Sequence, residues 1–131
     1  MSYKTIRAGL KNALSDLHGV QVYDSPAETA VLPAVVVGSF RRDGMATFDP
    51  TQTITVDLLL LASRKNVDQY DVLDRMCEPS GAMSVQAKLE ADGSLGGAVS
   101  DLRVVSVEQA GTVEVDGEPQ FGAVVTVEVW T

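Results

Sequence analysis

Residues 121–130 read FGAVVTVEVW, and this stretch shows the clearest strand pattern of the chain. Alternate side chains point to opposite faces of a β-strand, so a period of two separates the residues into two sets. One set is apolar throughout and comprises Phe121, Ala123, Val125, Val127 and Val129. The other set is mixed and comprises Gly122, Val124, Thr126, Glu128 and Trp130. The stretch therefore predicts a strand with one face against a hydrophobic core.

A second strand pattern lies at residues 51–63, and it pairs naturally with a strand predicted at 34–40. In the later strand Ile54, Val56, Leu58 and Leu60 share one face. The other face is polar until its residues become leucines, which predicts a strand that is half exposed at its start and buried on both faces near its end. A long loop at residues 41–50 joins the two strands as a hairpin.

The remaining elements group helices together and strands together. Helices are expected at residues 3–17, at 66–77 and in a shorter stretch that Ser80 caps and Asp92-Gly93 ends. Strands are expected at 20–23 and 99–109, and the connection 110–119 has a further short strand pair around a turn at Asp116-Gly117. This order favours a single α+β domain over 1–131, a mainly antiparallel sheet with helices packed on one face.

Composition narrows the classes of function. The chain has 131 residues, of which 45% are hydrophobic, so it can bury a core without disulfides. Its 10 Lys and Arg against 18 Asp and Glu give a net charge of −8, which opposes nonspecific binding to nucleic acid or to an anionic membrane. Seven basic and six acidic residues lie in 1–65, against three and twelve in 66–131. The acidic second half requires an explanation.

Targeting and membrane segments are not expected. Three basic residues interrupt the apolar positions of the first helix, so it lacks the hydrophobic region of a signal peptide. The longest purely apolar run is Leu58–Ala62, far below the roughly 20 residues that cross a bilayer. We therefore expect a cytoplasmic protein.

Few residues are of a type and spacing that suggest catalysis or metal binding. His18 lies near the end of the first helix, where a histidine usually stabilises terminal carbonyls, and the single Cys77 lies on the apolar side of a predicted helix. Asp68, Asp71 and Asp74 repeat every three residues and could converge on a divalent cation, but a solvated helix face explains them as well. The chain contains no GxxxxGK[ST], GxGxxG, GxSxG or HExxH motif. We expect no catalytic residue, no metal and no cofactor.

The predicted hairpin loop is a candidate protein interface. It begins with Arg41 and Arg42, and it places Met45 and Phe48 on a segment that is expected to face water. Burial against another protein would remove these apolar side chains from water, whereas packing of the loop on itself is the alternative.

The order and lengths of these elements resemble the tail terminator proteins of long-tailed, siphovirus-type phages. The resemblance covers nearly the full chain and depends on the pattern of elements, without a short diagnostic motif. It rests on the segments IRAGLKNAL (6–14), LPAVVVGSF (32–40), ITVDLLLLASR (54–64), NVDQYDVLDRM (66–76) and FGAVVTVEVW (121–130).

The resemblance implies a homohexameric ring that caps the tail tube, ends tube polymerisation and joins the tail to the head connector. Its partners would be further copies of itself, the tail tube protein and the connector protein. Duplex DNA would pass through the lumen without specific binding, because an acidic lumen repels phosphates. The candidate lumen acids are Asp68, Asp71, Asp74 and Glu78. Assembly would occur in the host cytoplasm, and the protein would end at the head-proximal end of the tail in the virion.

Three other classes remain open. Another phage head-tail connector or tail-completion protein would share this composition. A regulatory interaction module would form a discrete dimer, and a ligand-binding or enzymatic domain would need a pocket with convergent polar groups.

Overall fold

The computed structural model describes residues 3–15, 17, 19–23, 32–43, 53–63, 67–91, 93–97, 99, 101–115 and 118–130. The described part contains three helices and five strands. The helices are α1 (Tyr3–Ala13), α2 (Val67–Cys77) and α3 (Val85–Ala91). The strands are β1 (Gln21–Tyr23), β2 (Ala34–Asp43), β3 (Thr53–Ala62), β4 (Asp101–Val115) and β5 (Glu118–Trp130).

The strands form one sheet in the order β1-β2-β3-β5-β4. β1 runs parallel to β2, and the other three neighbouring pairs are antiparallel. The predicted α+β class with a mainly antiparallel sheet is therefore confirmed. β3 and β5 pair over ten residues, from Thr53 opposite Trp130 to Ala62 opposite Phe121, and they form the centre of the sheet.

The hydrophobic core joins all three helices to the sheet. Buried sheet residues that face one another across strands include Leu58, which is opposite Val125, and Val56, which is opposite Val127. Complete burial of each such aliphatic side chain contributes on the order of 1.5–3 kcal/mol. The helices contribute to the same cluster Ile6, Leu10, Leu14, Leu73, Met76, Val85 and Leu89.

The side-chain patterns of β3 and β5 match the sequence prediction. Ile54, Val56, Leu58 and Leu60 of β3 are buried, while the residues between them are half-buried up to Leu61, which is also buried. In β5, Val125, Val127 and Val129 are fully buried on the core face. Here the local alternation and the tertiary burial agree because the core covers one complete face of these strands.

Several boundaries differ from the prediction. α1 ends at Ala13, four residues early, because Ser15 and Leu17 then donate to carbonyls three residues back and tighten the chain into turns. β2 continues through Arg41 and Arg42 to Asp43, so the connection to β3 begins after the predicted start of the loop.

The N-terminal cap of α3 and the hairpin of β4 and β5 also differ from the sequence prediction. Ser84 caps α3 in place of Ser80, because Ser84 Oγ accepts a hydrogen bond from the Ala87 amide at 3.1 Å. The predicted short strand pair around residues 113–115 is the tip of the long β4–β5 hairpin, where Val113 lies opposite Gln120.

Among the described residues, no helix is both long and apolar enough to cross a membrane.

Candidate functional site

The structure describes only one part of the predicted loop interface, the part that belongs to β2. Arg41 is exposed in β2 and lies opposite Thr55 of β3, and the backbone of Arg42 lies opposite Ile54. Met45 and Phe48 lie outside the described residues. The structure therefore places the two arginines at the end of the β2–β3 hairpin and leaves the interface itself as a prediction.

Three of the four candidate lumen acids lie on one side of α2, and Glu78 follows the last residue of the helix, Cys77. Asp68, Asp71 and Glu78 are exposed, and Asp74 is half-buried. The opposite side of the helix carries Leu73, which is buried in the core. This separation of faces follows from the 3.6-residue period of the helix, which places residues three and four positions apart on one face.

Contacts at both ends of the acidic face position α2. Asp74 Oδ1 accepts a hydrogen bond from Gln109 Nε2 of β4 at 2.6 Å, whereas the 3.0 Å ion pair of Asp71 with Arg75 lies within the helix. Near the start of the helix, Gln69 Oε1 accepts from the Ser63 amide at 2.8 Å. The acidic face consequently borders β4 and has a defined orientation to the sheet.

Cys77 lies at the end of α2 and is half-buried. Burial raises the pKa of its thiol, a hydrogen bond from Gln109 lowers it, and the nearby charge of Asp74 raises it, with a net upward shift. A raised pKa keeps the sulfur in its neutral, less nucleophilic form at neutral pH. His18, the other candidate for acid-base chemistry, lies outside the described residues.

In the part of the chain that the structure describes, no three His, Cys, Asp or Glu side chains come close enough to hold a metal ion. A shallow cavity of about 260 Å³ opens between α1 and the turn after α3. It is lined by Gly9, Asn12, Ala13, Leu95 and Gly96. This lining supplies one polar side chain, which is too little to orient a small ligand by convergent polar contacts.

The outer edge of β4 was not predicted as a functional surface. Val105 is the one large hydrophobic side chain among the described residues that is exposed, at 49%. It is the extra residue of a bulge between Val104 and Ser106, and a second bulge lies between Gln109 and Gly111. The sequence does contain a signal, since the apolar positions change from even at Leu102 and Val104 to odd at Val107.

Neighbouring residues of β4 and β5 form a cation–aromatic group beside this edge. The guanidinium of Arg103 lies 5.8 Å from the centre of the Trp130 ring and 3.6 Å from a carboxylate oxygen of Glu128. Arg103 is mainly exposed, so its ion pair contributes little to stability. Its charge is nevertheless partnered within the protomer.

Across the sheet, α1 carries a basic stripe formed by Lys4, Arg7 and Lys11. Nη1 of Arg7 donates to the carbonyl oxygen of Val37 in β2 at 3.1 Å, and its guanidinium stacks on Phe40. Lys4 and Lys11 are exposed. Because they lie three residues before and four residues after Arg7, they share its side of the helix, which faces β2.

Comparison with models of known protein families found no match for this chain, and comparison with curated proteins found no similar sequence.

Proposed function

We propose that this protein is a structural virion protein that forms a ring on the end of a phage tail tube. The ring stops tube polymerisation and joins the tail to the head connector. Its hexameric stoichiometry follows from the resemblance described above. The protein assembles in the host cytoplasm and remains at the head-proximal end of the tail in the virion.

The observation that carries the proposal is the acidic face of α2, with exposed Asp68 and Asp71 beside Asp74, and with exposed Glu78 directly after the helix. Duplex DNA carries one negative charge per roughly 1.7 Å of its axis, so a carboxylate surface offers it no phosphate contact. A ring with this face toward its lumen lets DNA pass without adhering. Buried Leu73 and Met76 hold the opposite face of the helix against the core and keep the acids directed outward.

The exposed edge of β4 also supports an assembly role. A soluble monomer usually protects a long edge strand by bulges and charged side chains, and β4 has both. Val105 nevertheless remains accessible on this edge. An isolated exposed valine is ordinary on a protein surface, but a position at the edge of the sheet makes it available to a neighbouring subunit.

The test is to add the purified protein to tail tubes that are growing from the tube protein of the same phage. We expect tubes to stop lengthening, and electron microscopy should show an additional ring on one end. Light scattering of the free protein across a range of concentrations measures its mass in parallel. Tubes that grow unchanged and lack a terminal ring would contradict the proposal.

Two outcomes favour other assignments. Binding to the head connector without any effect on tube growth would indicate another connector or tail-completion protein. A stable dimer without affinity for tubes would indicate a regulatory interaction module.

A double substitution tests the acidic lumen separately. Asp68→Lys with Asp71→Lys should leave the ring assembled and make it retain duplex DNA in a mobility-shift assay, with retention that falls steeply as salt rises. Glu90→Lys, an exposed acid on α3, is the control and should leave DNA unbound. Strong binding of DNA by the unaltered ring would contradict the assignment of these acids to a repelling lumen.

A further inference from the structure

We infer that copies of this chain associate head to tail, with the basic stripe of α1 on one copy against the β4 edge of the next. This inference rests on the proposed ring and assigns the two surfaces that form it. The basic stripe is Lys4, Arg7 and Lys11, and the β4 edge is Asp101, Val105 and Glu108.

The two surfaces are separate in the protomer. β4 is one edge strand of the sheet, and β1 is the other. α1 packs on β2, the neighbour of β1, through the contacts of Arg7 with Val37 and Phe40. Because β3 and β5 lie between β2 and β4, the basic stripe and the β4 edge are separate surfaces, and one copy can contact two neighbours at once.

The charges of the two surfaces are complementary. Lys4 and Lys11 are exposed on the first surface, and Asp101 and Glu108 are exposed on the second. Arg103, the basic residue of β4, is paired with Glu128 within the protomer. The β4 edge consequently keeps an acidic character that suits the lysines of a second copy.

The complementary charges also favour a head-to-tail contact over a two-fold dimer. A two-fold dimer built on either surface alone would bring that surface against its own copy and place like charges together, which opposes association. A head-to-tail contact joins unlike charges and repeats from copy to copy, and it closes into a ring when the rotation between neighbours allows it.

Val105 contributes an apolar contact at the centre of the second surface. The long aliphatic stems of Lys4 and Lys11 can cover this valine while their ammonium groups reach the carboxylates. The two bulges of β4 interrupt the regular row of backbone donors and acceptors, so side chains and not continuous strand pairing supply the contact. An interface that depends on exposed charges weakens as salt rises.

Charge reversal on either surface tests the contact. Lys4→Glu with Lys11→Glu should weaken self-association at least tenfold, and Glu108→Lys should do the same, as sedimentation measures it at low salt. Each variant should keep the circular dichroism and the thermal unfolding of the original monomer. Glu90→Lys makes the same change of net charge as Glu108→Lys but on α3, outside both surfaces, and should leave self-association unchanged.

Mixing the variants gives the decisive result. An equimolar mixture of the Lys4→Glu/Lys11→Glu protein with the Glu108→Lys protein should assemble under conditions in which neither assembles alone, because an alternating order of the two variants places an unlike charge opposite residue 108 at every contact. Unchanged assembly of each variant alone, or no recovery on mixing, would contradict the assignment of these two surfaces. The proposed ring would remain supported if the unaltered protein still formed it. An unaltered protein that is monomeric both in solution and on tail tubes would overturn the ring and the contact together.

Discussion

The guanidinium carbon of Arg7 lies 4.5 Å from the centre of the Phe40 ring and thereby connects α1 to β2. The same side chain donates a hydrogen bond to the carbonyl oxygen of Val37. A cation above an aromatic ring and a charged donor on a carbonyl each contribute roughly 1–2 kcal/mol when partly shielded from water. Arg7 thus stabilises the packing of α1 on the sheet and holds the basic stripe at the β1–β2 side.

Replacement of this arginine should destabilise the fold. We expect Arg7→Ala to lower the free energy of unfolding by about 1–3 kcal/mol, since it removes both contacts. Urea denaturation followed by circular dichroism measures the change. Lys4→Ala, on the same side of α1 but exposed, should change the free energy by less than about 0.5 kcal/mol. Equal effects of the two substitutions would show that the contacts of Arg7 do not stabilise the fold.

Gly38 allows the close approach of β2 and β3 at the irregularity between Val37 and Phe40. A Cβ atom at this position would lie 2.9 Å from the backbone carbonyl oxygen of Asp57. Gly38→Ala should therefore force the strands apart and cost about 1–3 kcal/mol of unfolding free energy. The neighbouring Ser39 is exposed, so Ser39→Ala serves as the control in the same denaturation experiment. A Gly38→Ala protein as stable as the control would contradict the steric argument.

Ser84 is fully buried and caps α3 through its hydroxyl oxygen. The same hydroxyl donates a hydrogen bond to the carbonyl oxygen of Glu78. Ser84→Ala should lower the melting temperature and cost about 0.5–2 kcal/mol. The exposed Ser106 of β4 provides a matched substitution to alanine that should be nearly neutral. If both variants melt alike, the cap has no role in stability.

The raised pKa of the Cys77 thiol predicts both slow reactivity and a pH effect on stability. Burial disfavours the thiolate, so at pH 8 a thiol reagent should react more slowly with the folded protein than with the urea-unfolded chain. Because the folded pKa lies above the unfolded one, the stability from the neutral thiol is complete below the unfolded pKa. It is lost as pH rises through the folded pKa.

The control variant is Cys77→Ala, which has no thiol to ionise. Its unfolding free energy should therefore fall less at alkaline pH than that of the unaltered protein. Unfolding curves measured between neutral and alkaline pH test the difference. Equal reaction rates in the folded and unfolded chains would contradict a shielded thiol.

The predicted loop interface gives a last test. Met45→Ser with Phe48→Ser should weaken self-association or tube binding while the monomer stays folded, because the predicted role of these two side chains is an apolar contact with another protein. Sedimentation and tube binding measure the first effect, and circular dichroism measures the second. Unaltered assembly of this variant would assign the two side chains to packing within the loop.

Much of the architecture could be predicted from local pattern. The alternation at Val125, Val127 and Val129 identifies the core face of β5, and the spacing of Val67, Leu73 and Met76 identifies α2. Both assignments hold because the side-chain period of a strand or a helix follows from backbone geometry alone. The acidic face of α2 follows from the same reasoning, since the residues opposite a buried stripe point away from the core.

The cap of α3 and the end of α1 could not be predicted in the same way. The sequence prediction places the cap at Ser80, whereas the helix begins after Ser84, where the buried Val85 and Leu89 meet the core. For α1, the apolar spacing continues to Leu17, but the chain tightens into turns that keep Leu14 and Leu17 buried. Burial can be satisfied by more than one backbone conformation, so periodicity alone does not locate a terminus.

The sequence by itself determined the α+β composition, the apolar faces of the central strands and the excess of acid in the second half. Only the tertiary structure decided that β4 lies at the edge of the sheet, that Asp74 meets Gln109 and that Val105 is exposed at a bulge. The division has one physical cause. Periodicity acts between residues a few positions apart, whereas strand order and edge exposure depend on pairings between segments that are distant along the chain.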